Sequence, residues 1–146
     1  GDITTTGNWV IPSDESVIFI VNGDITIGGN VTITPGGFAA FVAKGDINIS
    51  SNVGTTFNSA TPVLDGVYVT STAGTFASGT STVAGKERLV GHGIFVAGNF
   101  LLQRDLDSVS ANTLSSAELF IYDPQLLFTM PDQMKELPVV WQEVVP

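Results

Sequence analysis

The 146-residue sequence contains no cysteine. That excludes a disulfide framework, a cysteine-ligated zinc site and a cysteine nucleophile. Charge is scarce: 13% of residues are charged, against about 25% in an average protein. The charge that is present is mostly of one sign. Five Lys and Arg stand against 14 Asp and Glu, giving a net charge of −9 and a pI near 4.1. Nucleic acid needs a basic surface, as does attachment to anionic lipid through a polybasic patch, so the charge argues against both partners. A single histidine rules out a histidine cluster for metal or two-histidine catalysis. No apolar run approaches the roughly 18 residues of a spanning helix, so no membrane insertion by this segment is expected. What is present is 43% hydrophobic residues and 16 glycines, with Thr, Ser and Asn left to cover the surface. The length suits one domain able to bury a core.

The chain repeats. Gly-Asp-Ile occurs at Gly1–Ile3, Gly23–Ile25 and Gly45–Ile47, at intervals of 22 residues. Phe19–Ile27 lies over Phe41–Ile49, and Gly7–Ile11 over Gly29–Ile33. Ile94–Leu102 fits the same template, and Val67–Val69 with Ala73–Phe76 fits it with a few extra residues. The key glycines are Gly1, Gly23, Gly45, Gly74 and Gly98, spaced 22, 22, 29 and 24. Leu119–Tyr122 follows about one period later. A leucine-rich repeat would need its Leu/Asn consensus, which is absent. Ile, Val, Phe and Thr alternate with polar residues and are broken by Gly-Gly, Asn and Pro-Gly, which is strand and turn chemistry.

Three short strands fit into 22 residues. The expected fold is therefore all-β: a single-stranded parallel β-helix, or β-solenoid, of five to six coils, with the right-handed sense such coils usually take. Residues 1–123 form the coils, with a period of about 22–29. At ~4.8 Å per coil the stack spans roughly 25–30 Å. Its interior is expected to hold two ladders, Ile3-Ile25-Ile47-Phe76-Phe100 and Phe19-Phe41-Val67-Ile94-Leu119. A single coil cannot bury its own apolar face, so stability comes from its neighbours.

This register turns Ile20, Val42, Tyr68, Phe95 and Phe120 outward, as an apolar stripe that a cap or a partner must cover. Residues 124–146 break the repeat and form the expected cap, a loop, a short helix and a strand. Thr129 is placed to cap the helix, with Pro131 in its first turn. Leu126, Leu127, Phe128, Met130, Met134 and Leu137 are expected to cover the stripe or the last coil. Val139–Val144, containing Trp141, reads as the strand. Insertions at 54–64, 77–88 and 105–116 enlarge later coils, and in repeat proteins such loops are either tolerated variation or binding surfaces.

Candidates for chemistry are few. Asp2, Asp24, Asp46, Thr75 and Asn99 recur at one coil position. Some β-helix polysaccharide lyases hold calcium with stacked acids of this kind, which makes Asp24 and Asp46 weak metal candidates and glycans a candidate ligand. Such enzymes also need a nearby base, and Lys44 has Asn22 and Ala97 as its repeat equivalents. The favoured reading is that Asp and Asn satisfy backbone groups after the turn glycine. His92, in Gly91-His92-Gly93, reads as a solvated turn residue, and no Gly-x-Ser-x-Gly elbow is present. Arg104 and Asp105 read as a local ion pair or turn contact. Trp9, Tyr68, Tyr122 and Trp141 fall on apolar strand patterns, where packing explains them better than sugar stacking. No catalytic residue and no resident cofactor is assigned.

Phe19–Ile27, Phe41–Ile49, Gly98–Leu106, Phe120–Leu127 and Trp141–Val144 together resemble the C-terminal domain of a family of largely uncharacterised envelope proteins. These are surface proteins of small, uncultivated bacteria, sometimes with pilin-like neighbours. Arg104-Asp105-Leu106 and Tyr122-Asp123-Pro124 are the most specific segments, and the resemblance covers most of the chain. It implies an extracellular β-helical domain at the end of a longer protein and supplies no catalytic residues. Bactofilin-type polymers are similar in architecture only. The chain also opens in mid-coil by its own register, as a fragment or processed form would, and an open coil can stack on another copy. The expected function is thus a non-enzymatic structural or adhesive module at the cell surface, associating with itself or with other envelope proteins. The competing expectation is a carbohydrate-binding or carbohydrate-cleaving β-helix with calcium on the Asp ladder.

Overall fold

A computed structural model describes residues 1–81, 83–106 and 108–135. The chain runs in successive layers. The first holds β1 (Ile3–Thr4), β2 (Trp9–Ile11) and β3 (Ser16–Val21), and the second β4 (Ile25–Ile27), β5 (Val31–Ile33) and β6 (Phe38–Ala43). Then come β7 (Ile47–Ile49) with β8 (Leu64–Thr70), and β9 (Thr75–Ala77) with β10 (Leu89–Val96). β11 (Asn99–Leu101), helix α1 (Val109–Leu114) and β12 (Glu118–Tyr122) follow, and then the short helices α2 (Leu126–Thr129) and α3 (Asp132–Lys135).

The protein is mostly β, and all pairing between these strands is parallel. One sheet has the order β1-β4-β7-β9-β11; the other runs β2-β5-β8-β10-β12, with β6 joining β3 to β8. The 22-residue period is the pairing register itself. Ile3 aligns with Ile25, Ile25 with Ile47, Ile47 with Phe76, and Phe76 with Phe100, as the repeat predicts, but Phe100, expected inside, is 48% exposed on the last strand of this sheet. Alternation then sends Ile25, Ile27, Ile47 and Ile49 into the core and leaves Thr26 and Asn48 on the other face.

β8 and β10 each replace two shorter strands, so each must bend where the turn at residues 34–37 lies in the layer before. Gly66 and Gly93 are Cα partners at this bend, with φ of +121° and +152°. A Cβ on Gly66 would lie 2.7 Å from the Ala39 carbonyl oxygen, so glycine is required both sterically and conformationally.

The second expected ladder slips by one residue between Phe41 and Val67. Phe41 pairs with Tyr68, not Val67, whereas Val67 and Ile94 are partners as expected, and Leu119 pairs with Val90, not Ile94. A one-residue shift exchanges the two faces of a strand. Tyr68 is therefore fully buried (0% exposed), and Phe95 packs against the core. The rings of Phe19, Phe41, Tyr68 and Phe95 stack at 5.4, 5.0 and 5.0 Å, within 12° of parallel. Phe120 is also partly buried, aligned with Gly91, with its ring edge-on to Phe95 at 4.9 Å. Gly91 makes the room, since a Cβ there would meet both rings. Tyr68, Phe95 and Phe120 thus leave the predicted outward stripe. The aromatic rings claim the interior because they bury the most apolar area.

The outward column is instead Ile20-Val42-Val69-Val96. Beside it Phe38, Ala40, Val67 and Leu126 form a second buried cluster, with Ile33, Val69, Ile94, Met130 and Met134 packed against it. The C-terminal segment therefore lies on the outer face of β6 and β8. Leu127 and Phe128, expected to share this burial, are exposed, Phe128 at 82%. Two short helices stand where one was expected. Thr129 does not cap: it is the last residue of α2, and α3 starts after Pro131. Leu137, Trp141 and the strand expected at 139–144 lie outside the described residues.

The insertions meet one another. Thr55 and Arg88 exchange backbone hydrogen bonds of 2.9 and 3.0 Å, and Ser81 Oγ donates to the Ser51 carbonyl at 3.0 Å. The 105–116 stretch, read as a polar loop, contains α1. Ser108 caps it by accepting from Ala111 N at 3.0 Å.

Candidate functional site

The acidic ladder is built by the strand register. Asp24 N donates to Asp2 Oδ1 at 2.9 Å, Asp46 N to Asp24 Oδ1 at 2.8 Å, and Thr75 N to Asp46 Oδ1 at 2.8 Å. A parallel asparagine ladder runs from Asn8 to Asn30 N at 2.9 Å and from Asn30 to Gly54 N at 3.2 Å. The glycine before each aspartate has a steric cause. A Cβ on Gly23 would overlap the Asp2 carboxylate, and one on Gly45 the Asp24 carboxylate. Gly-Asp is thus one unit: the glycine admits the carboxylate from the layer before, and the aspartate supplies the next. Each carboxylate of Asp24 and Asp46 gives one oxygen to a backbone amide. Among the described residues no three His, Asp or Glu side chains are grouped to hold a metal ion.

The outer apolar column stands apart from this ladder. Ile20 is 81% exposed and Val96 53%, while Val42 and Val69 are half-buried. Ile20, Val21, Val42, Ala43 and the Lys44 and Thr70 region form an open, almost entirely apolar hollow.

Two arginines bind the insertion side. Arg104 Nε donates to the Ser78 carbonyl at 2.9 Å, Nη1 to Lys86 O at 2.9 Å and Nη2 to Ser50 O at 3.2 Å. Burial lowers the pKa of its guanidinium and the Glu118 carboxylate opposes that shift. Glu118 Oε1 also accepts from Arg104 N at 2.7 Å and from Ser78 Oγ at 2.9 Å. Arg88 Nη1 donates to Ser59 O at 2.8 Å. Arg104 is thus a staple across three segments, a role beyond the turn contact expected from sequence.

A concave, partly polar site lies where β8, β10 and the C-terminal segment meet. Its cavity, about 130 Å³, is lined by Asp65, His92, Asp123, Gln125, Thr129 and the loop at residues 34–37. Asp65 and His92 are Cα partners on β8 and β10, so His92 is a mid-strand residue and not the turn residue expected. Its Nδ1 lies 3.4 Å from Asp65 Oδ1. Asp65 Oδ2 accepts from Ile33 N at 3.0 Å, while Oδ1 is buried without a hydrogen bond. Desolvation raises the Asp65 pKa; the Ile33 amide and His92 oppose the rise, and Asp123 adds to it.

No family model matches the chain, and no curated protein or solved structure matches it.

Sequence reasoning located Asp24 and Asp46 on one ladder but missed the Asp65–His92–Asp123 grouping. The signal was the 27-residue interval between Asp65 and His92, the same interval that aligns Val67 with Ile94 and Tyr68 with Phe95.

Proposed function

We propose that the chain is a β-solenoid of stacked coils acting as a non-enzymatic structural or adhesive module, placed at the cell surface and able to associate with itself or with other envelope proteins. The observation that carries this reading is the Gly-Asp ladder. Its carboxylates accept hydrogen bonds from the backbone of the next layer, so the most repeated polar motif of the sequence is spent on stacking. That also weighs against calcium and a carbohydrate substrate at Asp24 and Asp46. Self-association is supported by the outer apolar column, on which Ile20 is 81% and Val96 53% exposed. The cell-surface placement rests on the resemblance of the coil and tail segments to envelope proteins, and on a cysteine-free, acidic, Thr- and Asn-rich composition.

Sedimentation velocity across a concentration series tests the assembly part. Larger species should grow with concentration and persist when calcium is chelated. A strict monomer at high concentration removes self-association. Thermal stabilisation by calcium, lost in Asp24→Asn, would favour the carbohydrate reading.

A further inference from the structure

We propose that Asn22 is a self-modification site, whose side chain closes onto the Gly23 amide, releases ammonia and opens to aspartate or isoaspartate. The sequence has eight asparagines, and only Asn22 precedes a glycine. Asn22 is exposed, in the bend that leads from β3 into the Gly23-Asp24 unit. Among the described residues neither its side chain nor the Gly23 amide makes a hydrogen bond. Elsewhere the amide after an asparagine is engaged. Trp9 N donates to Asn30 O at 2.8 Å, Val31 N to Val63 O at 2.9 Å and Val53 N to Ser50 O at 3.0 Å. Asn58 gives the closest contrast, because it precedes a small residue, Ser59. There Ser59 N donates to Thr56 O at 3.0 Å, and Asn58 Oδ1 accepts from Thr56 Oγ1 at 3.1 Å. Both reacting groups are therefore tied down. At Gly23 the nucleophile is free, and no Cβ crowds the closing ring.

In the first step Gly23 N gives its proton to base and bonds to Asn22 Cγ. The Cγ–Nδ2 bond breaks, and the nitrogen leaves as ammonia after taking a proton from water. Water then adds to one of the two carbonyls of the cyclic imide and breaks its bond to Gly23 N. Opening at Cγ gives aspartate; opening at the main-chain carbonyl gives isoaspartate. Asn22 sits between two rungs to the next layer, since Val21 O accepts from Lys44 N and Gly23 O from Gly45 N, both at 2.9 Å. Isoaspartate routes the main chain through the side chain and adds one methylene between those rungs, so their spacing is lost. Either product also puts a carboxylate on the rim of the outer hollow, which Asn22 shares with Lys44.

Peptide mapping by mass spectrometry, after incubation of the folded chain at mildly alkaline pH, tests this. Asn22 should lose ammonia about 10-fold faster than Asn58, the combined effect of an unbonded amide and glycine's freedom. An isoaspartyl methyltransferase should label the peptide carrying residue 22 in the aged wild type and not in Asn22→Gln. The isoaspartate fraction should melt below the unmodified chain. Loss at Asn22 in urea but not in the folded chain overturns the proposal, as does loss no faster than at Asn58. Equal melting of the two fractions overturns the effect on the rungs. If Asn22→Gln does not fold, the wild-type map decides alone.

Discussion

At Gly45 a single added methyl group would land on the Asp24 carboxylate, while at Gly1 it would meet nothing within 4 Å. The same tripeptide therefore carries different costs along the chain. Gly45→Ala should lower unfolding free energy by about 1–3 kcal/mol, as overpacking does. Gly1→Ala should stay within about 0.5 kcal/mol of wild type. Asp24→Ala should cost about 1–3 kcal/mol, because it strands the Asp46 amide. Asp24→Asn keeps an acceptor, as the Asn8–Asn30 ladder does, and should cost little. Urea denaturation of the four variants checks these values together. Asp65 belongs to another class. Burial raises its carboxyl above the ordinary 3.8, so the native state binds that proton more tightly than the unfolded state. Its contribution to stability is greatest at low pH and declines as pH rises from 3.8 through the folded value. Asp65→Asn should remove that decline, so its stability relative to wild type should improve with pH across this window.

Among the elements, register decides what each side chain does. Tyr68→Ala should cost about 3–5 kcal/mol because its ring fills the stack between Phe41 and Phe95. Val69→Ala, on the outer column, should cost distinctly less. Equal losses measured by thermal or urea unfolding would point back to the other register. The first sheet was legible because Gly-Asp-Ile repeats at an unbroken 22 and pins Ile3, Ile25 and Ile47. The faces of β8 and β10 were not, because the insertion at 54–64 removes the fixed interval. Val67-Tyr68-Val69 is apolar on both sides, so alternation gives no sign of which face is inside. That face is apolar on both sides because α2 and α3 cover part of it. A chain-remote segment thus obscured the local pattern. Helix α1 was hidden similarly, since Val109–Leu114 is short and has a single buried residue, Ala111. The Asp65–His92 pair was within reach, because the expected alignment of Val67 with Ile94 already sets its register.

For the whole molecule, composition and architecture explain one another. Charge stays low because the repeating polar positions are occupied by Thr and Asn. The Gly-Asp carboxylates bond to backbone across successive layers. Asp2, Asp24 and Asp46 thus each tie one layer to the next. The measurement that tests this most directly is nuclear magnetic resonance of the isotope-labelled chain. It would read strand-to-strand contacts together with scalar coupling across hydrogen bonds to side-chain carboxylates. The account predicts parallel contacts linking Ile3, Ile25 and Ile47, and coupling of the Asp46 and Thr75 amides to the carboxylates of Asp24 and Asp46, unchanged by calcium. Contacts between sequence-adjacent strands in antiparallel register, or Asp24 and Asp46 carboxylates that release those amides to bind calcium, would contradict it.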